Sequence, residues 1–233
     1  MLTHLGVSLL SRICYDEYMN REPFSNDEYY HIYNRGVDKR QIFMDNYDVN
    51  RFLKGMELFN SVEPIGSLYV LSFMEESHRN KKFKKLVDIV AYCLNNNHYH
   101  FILKQCVDRG ISEFMRRVNG GYTLYFNNKI KRSGSLFQGM FKSKYIDGND
   151  YLLRLSSYVN LNDRVHQLRG ETAKLSRSSW DEYVRGIKYL CNVEVVLKQF
   201  KNRKDYEQFA LDTLPQITKR KEDEKELAKI LME

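Results

Sequence analysis

The sequence is short of proline, of paired cysteines and of long apolar runs, and each shortage removes a class of protein. Only 3 prolines occur in 233 residues, so no proline-rich linker divides the chain. The four cysteines, Cys14, Cys93, Cys106 and Cys191, are scattered and no two form a C-x-x-C pair. That argues against a structural zinc site, which needs four closed ligands and usually cysteine pairs. Scattered thiols of this kind are expected to be reduced and mostly buried, as in a cytoplasmic protein. No run of about 18 apolar residues is present, so no membrane-spanning segment is expected. The first residues lack a basic stretch followed by a long apolar one, so no signal peptide is expected either. There is no Gly-rich phosphate loop to call for a nucleotide cofactor, and no internal repeat.

What remains is a foldable, basic, aromatic-rich chain. Hydrophobic residues make up 42% and charged ones 29%, enough apolar surface for a core and too ordinary a charge content for wholesale disorder. The formal net charge of +7 favours an anionic partner, nucleic acid ahead of a membrane surface. The 17 Tyr and 13 Phe exceed what a simple core demands, and aromatics beside basic residues suit base stacking.

The hydrophobic pattern sets out the elements. Tyr29 to Tyr33 is a β-rich run closed by Asn34-Arg35-Gly36. A helix is predicted from about Asn46 to Asn60, with Phe52, Met56 and Phe59 on one face. Residues 65–86 read as a surface insertion, in which Ser67 to Met74 suits helix or strand and His78 to Lys85 carries five Lys or Arg. Val87 to Leu94 and His98 to Lys104 read as an antiparallel hairpin around Asn95-Asn96-Asn97. A long amphipathic helix opens at Ile111, with Phe114, Met115, Val118, Tyr122 and Tyr125 in helical spacing. Phe141 to Ile146 is a further strand. Asn149 or Asp150 is expected to cap a helix reaching about Asn162. The order predicts an α+β fold of ferredoxin-like or RRM-like type, an antiparallel sheet with helices on one side. Residues 1–22 are a lead-in, 23–166 the main domain, and 167–233 a helical, charged C-terminal extension.

Three features carry chemistry. His98 and His100 are two apart in a strand, so both imidazoles share a face and Tyr99 turns away. That is half of a site for a divalent metal, although histidines two apart also occur on solvent-facing strands. Tyr158 and Asn162 are four apart, stacked on one helical face. The same spacing suits a core tyrosine and a C-terminal cap. Tyr151 lies seven residues before Tyr158 on nearly the same face, and His31 is a further candidate ligand, more readily read as structural. From Ile111 to Ile146 there are seven basic residues, Arg116, Arg117, Lys129, Lys131, Arg132, Lys142 and Lys144, against one acidic, Glu113. Phe126, Phe137, Phe141 and Tyr145 are interleaved, so phosphate contact and base stacking are both expected there.

These residues carry a resemblance. Tyr-His-Ile-Tyr-Asn-Arg-Gly at 30–36, Ala-Tyr-Cys-Leu-Asn-Asn-Asn-His-Tyr-His-Phe-Ile-Leu at 91–103, Tyr-Thr-Leu-Tyr-Phe-Asn at 122–127, Gly-Ser-Leu-Phe-Gln-Gly-Met-Phe-Lys-Ser at 134–143 and Tyr-Leu-Leu-Arg-Leu-Ser-Ser-Tyr-Val-Asn-Leu-Asn at 151–162 occur in the order found in the HUH single-tyrosine transposases. The chain resembles their REP-associated branch in particular, over roughly residues 24 to 166. It departs from the family at Asn96 and Asp163, where proline is usual, and at Met140, where arginine is frequent.

The resemblance implies a metal-dependent endonuclease and strand-transferase acting on single-stranded or hairpin DNA, as a monomer or homodimer. Tyr158 would be the nucleophile. His98, His100 and Asn162 would hold a divalent metal (Mg or Mn). Arg35, Arg116, Arg117, Lys131, Arg132, Gln138, Lys142 and Lys144 would contact DNA. Two alternatives differ from this. A replication initiator or relaxase of the same chemistry often has a second tyrosine, or a lysine in place of Asn162. A non-catalytic nucleic-acid-binding protein would keep the basic surface without turnover.

Overall fold

The computed structural model describes residues 23–63, 66 and 83–230, leaving aside the side chains of 224–230. The expected lead-in, and the insertion apart from Gly66 and residues 83–86, lie outside these residues, as does the segment Ser67 to Met74. Leu86, at the end of that insertion, is buried in the core.

β1 (Tyr29–Arg35) sends Tyr30 and Ile32 to one side of the sheet and His31 to the other. α1 (Asn46–Leu58) is started by Asp45, whose carboxylate accepts the Asp48 N–H at 2.9 Å, while the Asp48 carboxylate accepts the Met44 N–H at 2.8 Å. This reciprocal pair satisfies donors that a helix start leaves open. β2 (Val87–Asn95) and β3 (His98–Gln105) form the expected hairpin, turning through Asn96 and Asn97. α2 (Gly110–Lys129) buries Ile111, Phe114, Met115, Val118, Tyr122 and Phe126. β4 (Lys142–Tyr145) returns to the far edge.

The sheet order is β4-β1-β3-β2-β5, antiparallel throughout. Its first four strands with α1 and α2 reproduce the expected βαββαβ ferredoxin-like arrangement. The fifth strand, β5 (Arg177–Ser178), comes from the C-terminal segment and pairs with β2 through Cys93 and Leu94. The expectation of helices on one side is corrected, because both faces are covered. α1 and α2 pack with Ile32, Leu94, Tyr99, Phe101 and Leu103 on one face. On the other, α3 (Asn149–Asn160), α6 (Trp180–Val184), α7 (Glu194–Leu197) and α8 (Arg203–Ile230) pack on Val90, Ala91, Cys93 and Ile102. The near-continuous apolar run of β2 is the physical cause, since such a strand must be buried on both faces. A register shift between Ile89 and Ala91 places Val90 and Ala91 together on the second face.

The helix expected to run to Asn162 is broken. α3 ends at Asn160, Leu161 leaves helical geometry (φ −108°, ψ 20°), and α4 (Asn162–Val165) follows. Neither Asn149 nor Asp150 caps α3; Gly148 holds the cap position with no side-chain bond. The break is pinned from the C-terminal segment. Asn160 is buried, donates to Tyr206 Oη at 2.8 Å and accepts from Ser179 Oγ at 2.5 Å, while its carbonyl accepts from Ser178 Oγ at 2.9 Å. α5 (Gly170–Leu175) bridges α4 to β5.

One compositional expectation is also corrected. Phe126, Phe137 and Phe141 are core residues, buried against the first face and out of reach of a base. Tyr145 is exposed, and its hydroxyl donates to Glu28 at 2.9 Å. Cys93 is buried and Cys106 and Cys191 are partly buried, Cys191 against the first core; all three are free thiols. Among the described residues, no helix is long and apolar enough to cross a membrane.

Candidate metal and nucleophile site

β3 sets the site. Tyr99 faces the aromatic core and is fully buried, so His98 and His100 must face the second side. The register places Arg35 beside His98 and Tyr33 beside His100 on β1, and Asn95 and Cys93 beside them on β2. The His31 and His100 rings stack at 5.1 Å and 22°, and Tyr33 stacks on His100 at 5.7 Å.

The turn before β3 orients His98. Asn97 Oδ1 lies 2.6 Å from His98 Nδ1. An amide oxygen only accepts, so Nδ1 carries the proton and Nε2 of the neutral ring keeps a lone pair. That lone pair lies 3.2 Å from Asn162 Oδ1. Asn95 Oδ1 is taken by the Ser176 hydroxyl at 2.7 Å, which leaves Asn95 Nδ2 to donate to Asn162 Oδ1 at 2.7 Å and to approach His98 Nε2 at 3.0 Å. Two acceptors therefore converge, and the fully buried Asn162 has an amide nitrogen without a hydrogen-bond partner among the described residues. The convergence of the two acceptors fits a cation. An ion bonded at roughly 2.1 Å to each atom, at a right angle, needs them about 3 Å apart.

His100 is held in the same manner. Its Nδ1 is 2.9 Å from His31 Nε2, and donation to His31 leaves His100 Nε2 with a free lone pair, the arrangement of histidines whose second nitrogen is fixed by an outer partner. Burial is the main reason that all three rings stay neutral. It pushes His31 down to about 4 and His100 well below the usual range, and it lowers His98. The positive charge of Lys221 acts on all three in the same direction. Neutral imidazole is the form that binds metal. Among the described residues no three His, Cys, Asp or Glu side chains form a metal cluster, and the group that meets His98 Nε2 is the amide oxygen of Asn162. Two imidazoles and an amide oxygen suit a hard or borderline divalent ion, with Mg or Mn both admissible.

Tyr158 is half-buried, with its ring edge-on to His100 at 5.3 Å and to His31 at 6.2 Å. Tyr151 lies instead under Lys144, whose Nζ is 5.0 Å from the ring centre. His98, His100, Asn162 and Tyr158 are thus brought together.

The basic residues divide. Lys142 and Lys144 sit opposite Tyr33 and His31 on β4 and so share the histidine face, exposed at the sheet edge. Arg35 shares that face beside His98, and its Nε donates to Gln138. Arg116 and Arg117 are on α2, across the sheet, and both bond Glu113; Arg117 also donates to the Ser61 carbonyl at 2.6 Å. Lys131 is exposed beyond α2, and Arg132 braces its loop by bonds to Asn127 and Ser135.

Reading of the residues missed several members of the site. Asn95 and Asn97 both precede the histidine pair and look like turn residues. His166, with its ring 4.9 Å from His98, continues the four-residue spacing Tyr158, Asn162, His166 and was legible on that ground. Lys221, with its Nζ 5.6 Å from the centre of the Tyr158 ring, carries no local signal. His31, read as structural, supports His100 directly.

The family described as "Transposase IS200 like" matches residues 25–162. No curated protein matches the chain. Among the solved structures that match is one of a REP-associated tyrosine transposase bound to a REP hairpin. It is similar at 13% identity and a TM-score of 0.48, over 73% of this chain and 87% of that one.

Proposed function

The chain belongs to the IS200-like transposase family, and from that premise we propose that it cuts and rejoins single-stranded DNA through a covalent link to Tyr158, on hairpin-bearing substrates and as a monomer or homodimer. The observation that carries this reading is the convergence of His98 Nε2 and Asn162 Oδ1 beside a tyrosine that edges His100. His98, His100 and Asn162 would hold a divalent ion, Mg or Mn, which supplies Lewis-acid polarisation of the scissile phosphate and charge stabilisation at the leaving oxygen.

The chain's own groups do the rest. The Tyr158 phenol oxygen bonds to phosphorus in line, the bond from phosphorus to the 3′-oxygen breaks, the phenol proton passes to solvent or a base, and the 3′-oxygen takes one up. The 5′-phosphotyrosine keeps the phosphodiester's energy, so a second 3′-hydroxyl can reverse the step and release Tyr158. Asn97 and His31 hold the imidazoles in the ligating tautomer. Arg35, Lys142 and Lys144 lie on the histidine face and would track the backbone phosphates, with Gln138 orienting Arg35. Arg116, Arg117, Lys131 and Arg132 lie away from that face and would meet only DNA that wraps beyond it.

A denaturing gel tests this. The protein is mixed with a labelled pool of single-stranded hairpin oligonucleotides and Mn or Mg. A band of protein joined to DNA is expected, lost with EDTA and lost in Tyr158→Phe. DNA binding without a covalent band under any metal would instead support a non-catalytic DNA-binding protein.

A further inference from the structure

The matched family segment ends at residue 162, yet the site is approached by α8, which begins only at Arg203. The N-terminal half of α8 belongs to the core: Tyr206 and Ala210 are fully buried, and Leu214 packs beside them. Tyr206 Oη is also tied to Ser156 at 3.2 Å and to Asn160 at 2.8 Å on α3. Successive members of that stripe follow the three- and four-residue spacing of one helical face. Continued past Leu214, the face carries Thr218 and then Lys221. An apolar stripe thus turns cationic where it reaches Tyr158. Glu222, the next residue, is turned toward Gln167, with 3.5 Å between their side chains. Lys221 is half-buried on this face, and Lys219 and Arg220 beside it are exposed.

We propose that Lys221 is a substrate contact of the strand-cleavage site, binding a non-bridging oxygen of the phosphate that Tyr158 attacks. This rests on the nuclease reading above. For the phenol oxygen to reach phosphorus in line, the phosphate's other oxygens must lie within a few ångströms of it. An ammonium held over the Tyr158 ring is within side-chain reach of them. Lysine serves as a compact point charge for phosphate, and it would share the charge of the reacting group with the ion on His98, His100 and Asn162. A C-terminal helix outside the family segment thereby completes the site and explains why α8 is anchored so firmly on α3.

The test uses the full chain as wild type, Lys221→Met, Lys221→Gln and Lys221→Arg. Two quantities are read: the rate of covalent band formation with Mn on the hairpin pool, and the salt dependence of binding to a 30-nucleotide single-stranded oligonucleotide. Both neutral variants are expected to form the band ~10- to 100-fold more slowly and to lower the slope of log affinity against log salt by about 0.7. Arginine is expected to recover most of both losses. Melting temperatures close to wild type in either neutral variant establish that the fold is kept. A neutral variant with an unchanged or faster rate would overturn the assignment and mark α8 as neutral or obstructive. A slower rate with an unchanged salt slope would also overturn it, leaving Lys221 as a residue that only positions the Tyr158 ring. If wild type forms the band and the variants match it, the nuclease reading stands alone. If wild type forms none, that reading fails and Lys221 loses its scissile phosphate with it.

Discussion

On β3, Tyr99, Phe101 and Leu103 point one way and His98, His100 and Ile102 the other, and the two sets meet different company. The first set is sealed by α1 and α2 among aromatic rings: Tyr99 stacks on Phe101 at 4.5 Å and meets Phe137 edge-on at 5.7 Å. Its one polar atom, the hydroxyl, is paired with Asn119. The second set is half core and half chemistry. Ile102 joins Val90, Cys93 and Val159, while the two histidines donate through Nδ1, His98 to Asn97 and His100 to His31, and keep Nε2 as an acceptor, that of His98 beside Asn162. A strand of eight residues thus gives alternate positions to folding and to function. Substitutions on its two sides should therefore fail in different assays.

The largest expected effect is on the chemical side. His100→Ala is expected to slow covalent band formation by on the order of 10³-fold or more, with a melting temperature within a few degrees of wild type. A melting temperature lowered by tens of degrees would erase the distinction between the faces. One position earlier the order reverses. Tyr99→Ala removes a fully buried ring and is expected to cost about 3–5 kcal/mol. In urea denaturation this appears as a lower midpoint with an unchanged slope.

Acid should sharpen the contrast, because the described histidines lie on the second face. The unfolded chain takes up a proton at each histidine below about 6.5, whereas burial keeps His31 neutral down to about 4. Between those values the unfolded state binds more protons, so stability falls as pH falls. For His31 the loss is on the order of 3 kcal/mol over the window, and His98 and His100, both lowered, add to it. Urea midpoints of the metal-free protein at pH 7.5, 5.5 and 4.5 measure this, and His31→Phe is expected to flatten the curve. The smallest effect is on the joint between α3 and α4. Asn160→Ala leaves Tyr206 Oη and Ser179 Oγ short of a partner and is expected to cost about 1–3 kcal/mol. Because Asn160 lies between Tyr158 and Asn162, band formation should slow more than that loss of stability alone would cause.

Much of this contrast is legible in the sequence. The period of two in His98-Tyr99-His100 separates the faces by itself, and the apolar spacing of residues 111–126 predicts α2 with its buried side. The near-continuous apolar run of β2 is equally visible and calls for a second covered face, whereas the order of elements alone suggests helices on one side only. β5 escaped because two residues carry no periodicity. The break at Leu161 escaped because an Asn at 160 looks no different from a solvent-facing one until Tyr206 and Ser179 are placed beside it. Phe126, Phe137 and Phe141 looked available for stacking because composition does not distinguish a core aromatic from an exposed one. Lys221 was beyond reach, since its neighbour Tyr158 is more than sixty residues away in sequence.

Manganese binding tests the central claim most directly. Mn(II) titrated into the metal-free protein, followed by the loss of the free-ion electron paramagnetic resonance signal, should show one ion bound per chain. His98→Ala and Asn162→Ala should each weaken it at least ~10-fold while the protein stays folded. A wild-type protein that binds no Mn, or variants that bind it as tightly as wild type, would contradict the assignment of His98, His100 and Asn162 as the metal site.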